Sequence, residues 1–470
     1  MPLSPAQIHG LRLAAGEANV LTAPEDCWAY GYDNSRLHAP PDAVVFATGH
    51  DQVCSIVRWC AEQQVPITAR GRGTGTTGAA VPIHGGIVLS FERMDRILEL
   101  RPRDRFVRVE PGITNQALQD ALAEHGFFWP PDPTSAAFCT VGGNLAYNSA
   151  GPRAVKYGTP RENTLGLTAV TGTGATLRTG VRTTKGVVGL DLTRLLIGSE
   201  GGLALITEAT LKLTPLPEAV RTLRAWFRDV EAAAAAVASI MAGATIPRAL
   251  EFMDDAALDL IRRSATDGVP GEAGALLMIE VDGPTACLRA AVDAVAEAAR
   301  VDGCLGVEVA DTEAEAAALW AARKALSPAL RLAAPDKINE DVVVPVSRIP
   351  ELIRGLRALS RKHDTRIVNF GHAGNGNIHV NLLYDGADAQ AAERARACLE
   401  AVFDLVLGLE GSISGEHGVG LVKRDFVARE IEAQTLDLMV RIKALFDPYG
   451  LFNPGKNVAP AAARSGPRSR

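Results

Sequence analysis

The sequence predicts an α+β protein of more than one domain, and three observations carry that expectation. From Asp42 to Leu216 the chain is dense in Gly and Thr, with short β-branched runs between turn residues, as in mixed sheets. After Pro215-Leu216-Pro217 the composition shifts. From about 218 to 335 it is rich in Ala, Glu, Arg and Leu, and helical stretches alternate with strands, which suggests an α/β domain. From roughly 365 to 456 dense glycine-containing motifs return. A length of 470 residues, at roughly 150 per domain, agrees with two or three domains.

In the first region the expected strands are Val44–Phe46, Val65–Ala69, Ile87–Phe91, Ile97–Leu100, Phe106–Glu110, Leu167–Val170 and Ala209–Leu213. Between the first two, Val53, Ile56, Val57 and Cys60 recur at helical spacing, and Thr48 with Asp51 forms a capping-box pattern. Further on, helices are expected at Val230–Met241, Thr285–Arg300 and Thr312–Leu332, with a strand at Ala275–Val281. The alanine-rich run Ala232–Ile246 reads as a helix on a surface or interface. The tail 459–470 is small, basic and Pro-containing, and is expected to be disordered.

Composition removes several classes. Apolar residues make up 47% and charged residues 22%, as in packed globular proteins. The net charge is −6, whereas a nucleic-acid surface needs clustered positive charge. No run approaches the ~20 apolar residues of a membrane span. The segment Met1–Val20 lacks a basic start followed by an apolar core, so no secretory signal is expected. The seven cysteines are scattered without a Cys-x-x-Cys pair, which argues against a disulfide framework and an iron–sulfur cluster. A reducing cytoplasm is the expected compartment.

Three small-residue segments invite a ligand. The first is Ala69-Arg70-Gly71-Arg72-Gly73-Thr74-Gly75-Thr76-Thr77-Gly78. Glycine lets the backbone turn sharply, so that its N–H groups can surround phosphate oxygens. A Rossmann loop would open directly into a helix; here Ala79–Gly86 leads to a strand instead, so a diphosphate would be held by an extended nest. The second runs from Pro130-Pro131-Asp132-Pro133-Thr134-Ser135 to Thr140-Val141-Gly142-Gly143-Asn144-Leu145-Ala146-Tyr147-Asn148-Ser149-Ala150-Gly151, and the third is Leu196–Glu208. Together they suit a long ligand with phosphates and a flat ring. Three independent turns are the plainer alternative.

The stretch Asn369-Phe370-Gly371-His372-Ala373-Gly374-Asn375-Gly376-Asn377-Ile378-His379-Val380-Asn381 places two histidines seven residues apart around a glycine-rich loop. Strands are expected at Arg366–Phe370 and Ile378–Tyr384, and His379 and Asn381, two apart on a strand, share a face. Glu416, in Ser414-Gly415-Glu416-His417-Gly418, could complete a His, His, carboxylate set with an open coordination position. Hydrogen-bonded structural histidines are the plainer reading.

These segments resemble the flavin-binding domain of the vanillyl-alcohol oxidase and para-cresol methylhydroxylase superfamily, in its D-2-hydroxyacid dehydrogenase branch. The likeness spans Pro41 to Lys456. The family's P-R-G-G-G-T-G is here Ala69–Gly75 with Arg72 for a glycine; its N-A-G-G is Asn148-Ser149-Ala150-Gly151; its L-I-G-S-E-G is Leu196–Gly201; and its F-N-P-G-K is Phe452–Lys456. Thr74 stands where members with covalent flavin have His, which implies non-covalent FAD.

The resemblance implies cofactor contacts from Arg70, Gly71, Arg72, Gly73, Thr74, Gly75, Pro131, Asp132, Thr134, Ser135, Thr140, Gly142, Gly143, Asn144, Asn148, Ser149, Gly151, Glu200, Gly201, Ile206 and Asn453. It also implies a two-part FAD domain, residues 1–216 and 425–458, around a substrate and metal domain, 217–424.

The family's G-H-x-G-D-G-N-x-H-x-N and S-x-E-H-G motifs match here, with Asn375 in place of Asp. By this resemblance His372, His379 and Glu416 hold Zn2+ or another divalent metal, and His417 is the base. Trp320–Ser327 resembles the W-x-x-R-x-x-x-x-T segment, which implies that Arg323 and Ser327 bind the substrate with Asn381; Lys337 is a second candidate cation.

The resemblance implies that such a site oxidises a D-2-hydroxy acid. A metal lowers the hydroxyl pKa, a neutral imidazole takes the proton, and a hydride goes to flavin N5. Two cations favour D-2-hydroxyglutarate, with D-lactate next. The alternatives are a D-lactate or glycolate dehydrogenase or oxidase, a non-redox flavin synthase, and a non-catalytic flavin-binding subunit. Expected partners are the hydroxy acid and a separate electron acceptor, such as an electron-transfer flavoprotein or a quinone-linked protein, with a homodimer left open.

Overall fold

A computed structural model describes residues 2–263 and 269–458, without the side chains at 321–325, 327, 328 and 331. The tail 459–470, expected to be disordered, lies outside the described residues. The chain forms two compact units. One comprises the chain up to Ala150, Gly158–Leu216 and the chain from Glu416 onward; the other comprises Gly151–Tyr157 and Pro217–Gly415.

The first unit contains three sheets. The strands are Val20–Leu21 (β1), Ala43–Phe46 (β2), Ile67–Arg70 (β3), Ile87–Ser90 (β4), Ile97–Arg101 (β5), Phe106–Val109 (β6), Phe127–Phe128 (β7), Thr164–Val170 (β8), Thr176–Gly180 (β9), Leu205–Lys212 (β10) and Thr214–Pro215 (β11). Their orders are β1-β2-β4-β3, β5-β6-β10-β8-β9 and β11-β7. Strands β2, β4 and β3 are parallel, and the five-stranded sheet is antiparallel. The parallel strands β2 and β4 are buried along their length, as expected where both faces are covered.

The helix His50–Gln63 buries Val53, Ile56, Val57 and Cys60 on that sheet and ends where Gln64 turns left-handed. Its start differs from the expected capping box. Gly49 is the cap and offers no side chain; Gln52 Oε1 instead accepts the Thr48 N–H at 2.8 Å. A second difference is the helix Val141–Tyr147 inside the glycine-rich second segment. Thr140 Oγ1 caps it by accepting from Gly143 N–H at 3.2 Å. The two glycines mask the helix in the sequence. Gly142 is required by packing, since a Cβ there would lie 2.6 Å from Pro111 Cβ.

The second unit is one antiparallel sheet of Ala219–Phe227 (β12), Ala249–Asp254 (β13), Ala275–Gly283 (β14), Cys304–Val309 (β15), Asp336–Val343 (β16), Arg366–His372 (β17) and Asn377–Tyr384 (β18), in the order β15-β12-β14-β13-β17-β18-β16. Helices Asp255–Arg263 and Glu313–Ala333 bury Leu258, Ile261, Leu326 and Leu330 against Met253, Met278, Val368 and Phe370. Helices Val230–Met241, Thr285–Ala299, Ile349–Lys362 and Ala389–Gly408 pack on the sheet as well. Each fully buried Leu or Phe contributes roughly 1.5–3 kcal/mol.

The alanine-rich helix, which ends at Met241, exposes Ala235, Ala238 and Ser239 on one face and covers the other. Ala232, Ala233, Ala234, Ala236, Val237 and Ile240 are buried, the small side chains allowing close approach of its neighbours. Among the described residues no helix is long and apolar enough to cross a membrane, and the seven cysteines are free thiols.

Candidate active site

Strands β17 and β18 form a tight hairpin through the turn Ala373–Asn375 and Gly376. Gly376 has φ +72°, and a Cβ there would stand 1.9 Å from the Val344 carbonyl oxygen, so only glycine fits. The register sets His372 opposite Asn377 and His379 opposite Phe370. His372 and His379 consequently point to one face, with ring centroids 5.1 Å apart and planes at 86°. Both are buried.

The flanking strands supply acids. On β13, Glu251 lies opposite His372, and its Oε1 meets His372 Nδ1. On β16, Asp341 lies opposite His379. Asp341 Oδ2 accepts the Gly415 N–H at 2.8 Å, and Ser412 pairs with Val343. Glu416 is the next residue after Gly415, so these bonds set where its carboxylate starts. One ligand atom from each of His372, His379 and Glu416 lies within 4.8 Å of the others. Two imidazoles and one carboxylate suit a divalent ion of zinc type with open positions for substrate. Asn375 is exposed, so the charge it lacks relative to Asp is missing from the rim and not from this donor set.

On the same face Asn381 lies opposite Asn339. Asn381 Nδ2 donates to the Val368 and His379 carbonyls at 3.2 and 3.3 Å. The Oδ1 atoms of Asn381 and Asn339 are buried and make no hydrogen bond among the described residues. Buried polar atoms without partners mark places where a ligand group can bind. Lys337 lies on the same strand face, opposite Leu383 and two residues from Asn339. The side chains of Arg323 and Ser327, on helix Glu313–Ala333, lie outside the described residues.

In the first unit the loop after β3 is shaped by its backbone. Asn34 donates to the carbonyls of Thr74 and Gly75, and among the described residues the N–H groups from Gly71 to Thr76 make no bond within the chain. Such a run of amides fits a diphosphate. A Cβ on Gly73, at φ +67°, would meet the Arg70 guanidinium at 2.3 Å. Arg70 itself turns inward, donating to the Tyr32 carbonyl at 2.6 Å, while Arg72 is exposed.

Several other expected contacts are also structural anchors. Asn144 joins Asn115 and Cys139. Asn148 Oδ1 accepts from Thr159 Oγ1 and Arg161 N–H. Thr134 is exposed, and Pro131 is buried with its carbonyl bonded to Asn115. At Gly151 the chain enters the second unit.

Glu200 is buried at φ +53°. Its oxygens accept the Val419 and Gly420 N–H groups at 2.7 and 2.8 Å and Asn457 Nδ2 at 3.0 Å, and Asn453 Nδ2 donates to its carbonyl. Burial raises the Glu200 carboxyl above its usual range against the pull of those donors. The loop after His417, whose carbonyl accepts from Thr77 Oγ1, is fixed by these bonds.

Three residues escape a reading of the sequence. Glu251 and Asp341 are buried acids; for Glu251 the signal was an acid inside the apolar run Ala249–Met253, whereas the strand of Asp341 is itself largely polar and gave none. Lys456 is buried, donates to the Ala79 carbonyl at 2.7 Å, and is pushed down to about 7 by burial.

A mixed-sheet unit with an amide-lined loop, joined to an antiparallel sheet unit, defines a flavoprotein of the para-cresol methylhydroxylase fold. The structure superposes on para-cresol methylhydroxylase with a TM-score of 0.79 over 98% of each chain at 18% identity, which speaks to the fold. Residues 41–180 match the FAD binding domain family, and residues 216–457 match the C-terminal domain of FAD linked oxidases.

Relatives include the glycolate oxidase subunit GlcD of Bacillus subtilis, 38% identical over 93% of both chains. The D-lactate dehydrogenase of Anaerostipes hadrus is 35% identical over 93% of this chain and 94% of its own. The D-2-hydroxyglutarate dehydrogenase of Xanthomonas citri pv. viticola is 33% identical over 96% of both. The chain belongs to the FAD linked oxidases.

Proposed function

We propose that the protein is an FAD- and divalent-metal-dependent dehydrogenase that oxidises a D-2-hydroxy acid to the 2-oxo acid. Its relatives act, by their names, on glycolate, D-lactate and D-2-hydroxyglutarate, so FAD-linked oxidation of a 2-hydroxy acid is the shared activity. The observation that carries the metal role is the convergence of His372, His379 and Glu416. D-2-Hydroxyglutarate is the favoured substrate and D-lactate the next, because Arg323 and Lys337 offer two cations for two carboxylates.

When bound, the metal supplies Lewis-acid polarisation of the hydroxyl and FAD accepts the hydride. His372, His379 and Glu416 hold the metal as neutral imidazoles and a carboxylate. His417 takes the hydroxyl proton. Asn381 orients the substrate through its unpartnered oxygen, and Arg323 with Ser327 binds the carboxylate. The amides of Gly71–Thr76 hold the cofactor's diphosphate non-covalently. Electrons leave to a separate acceptor, an electron-transfer flavoprotein or a quinone-linked protein. Seven free thiols suit a cytoplasmic setting.

The test is anaerobic mixing of the FAD-loaded protein with D and L forms of 2-hydroxyglutarate and lactate, and with glycolate. Bleaching of the flavin by D-2-hydroxyglutarate at the lowest concentration is expected. No bleaching by any acid removes the dehydrogenase reading, and a preference for lactate or glycolate removes only the substrate assignment.

A further inference from the structure

We propose that Glu251 is a positioning residue that fixes the tautomer of His372 and so tightens its hold on the metal; the proposal rests on the metal reading above. Glu251 sits in β13 within Ala249-Leu250-Glu251-Phe252-Met253, a stretch buried throughout, and is itself 2% exposed. A carboxylate in such a strand costs several kcal/mol unless it is bonded, and an apolar side chain would serve the sheet better. The register places it directly opposite His372, and its Oε1 meets Nδ1 of that ring.

An ionised carboxylate only accepts, so Nδ1 carries the hydrogen and Nε2 keeps the lone pair. His372 therefore ligates through Nε2, and the negative partner makes the imidazole a stronger donor. Carboxylates hydrogen-bonded behind metal-binding histidines act in this way, and their loss typically weakens metal binding about 10–100-fold. The hairpin fixes the ring's position, and Glu251 fixes its rotation and its proton.

The experiment compares the wild type with Glu251→Gln, both FAD-loaded and stripped of metal, by titration with Zn2+ against a competing chelator. Glutamine keeps an oxygen for the Nδ1 hydrogen and removes the charge. The expected result is Zn2+ binding about 10–100-fold weaker in Glu251→Gln, with FAD content and melting temperature preserved and turnover restored by excess Zn2+. Equal Zn2+ affinities overturn the role of Glu251 and leave the metal site standing. A wild type that binds no Zn2+ overturns both.

Should Glu251→Gln fail to fold, nitrogen-15 NMR of the imidazoles in the wild type decides. The His372 signal, identified by its loss in His372→Gln, is expected in the Nδ1–H form, and an Nε2–H signal refutes the proposal.

Discussion

In the first unit, the loop from Gly71 to Thr76 offers a ligand its backbone N–H groups, and apart from the exposed Arg72 its side chains are small. In the second, the hairpin of β17 and β18 offers imidazoles, with acids on the strands beside them. A backbone site depends on where glycine permits the chain to go, whereas a side-chain site depends on chemical identity. The first should tolerate many substitutions apart from glycine, and the second almost none.

The sharpest way to break this contrast is His379→Ala. It should abolish stoichiometric Zn2+ binding and lower turnover by at least about 100-fold, roughly 2.7 kcal/mol of lost polarisation. Its flavin absorbance should be unchanged, because on this account FAD is held by the loop amides and not by imidazoles. Loss of FAD together with Zn2+ would contradict the contrast.

Next in size is Gly376→Ala. The positive φ and the clash with the Val344 carbonyl should cost at least about 2 kcal/mol, read by urea denaturation, with metal uptake lost alongside. In the first unit, Gly73→Ala should weaken FAD about 10-fold, roughly 1.4 kcal/mol, by displacing the Arg70 guanidinium. Arg72→Ala should alter FAD affinity by less than about 3-fold, about 0.65 kcal/mol. A larger loss for Arg72→Ala than for Gly73→Ala would show that the loop works through a side chain.

A further test concerns pH. Asp254 is buried, and burial raises its carboxyl to about 7 despite bonds from the Ala257 and Asn369 N–H groups. Its folded pKa is thus above the unfolded value, so the folded state binds more protons between the two. Stability from this group is present below about 4 and lost as pH rises towards 7, with a slope of at most about 1.4 kcal/mol per pH unit. The stability difference between wild type and Asp254→Asn should accordingly move in favour of the variant from pH 4 to 7. A constant difference would show that Asp254 stays ionised.

The same contrast governs what was legible in the sequence. The α+β class, and elements such as the strand Ile87–Ser90 and the helix Val230–Met241, follow from apolar spacing. Spacing also put His372 and His379 on one hairpin. Contacts set by long-range register were not legible. Nothing local links Glu251 to His372, 121 residues apart, or Asp341 to Gly415, 74 apart. The helix Val141–Tyr147 was hidden because Gly142 meets a packing demand from Pro111 that outweighs helix propensity. The resemblance implied a cofactor contact from Arg70; that its guanidinium donates to the Ala29 and Tyr32 carbonyls was not legible in the sequence.

The most direct test of the metal-assisted oxidation is removal and return of the metal with FAD left in place. Chelator-treated protein should retain its yellow colour and fail to bleach with D-2-hydroxyglutarate, and one equivalent of Zn2+ per chain should restore bleaching. Bleaching at the full rate in protein shown to be metal-free would contradict the account.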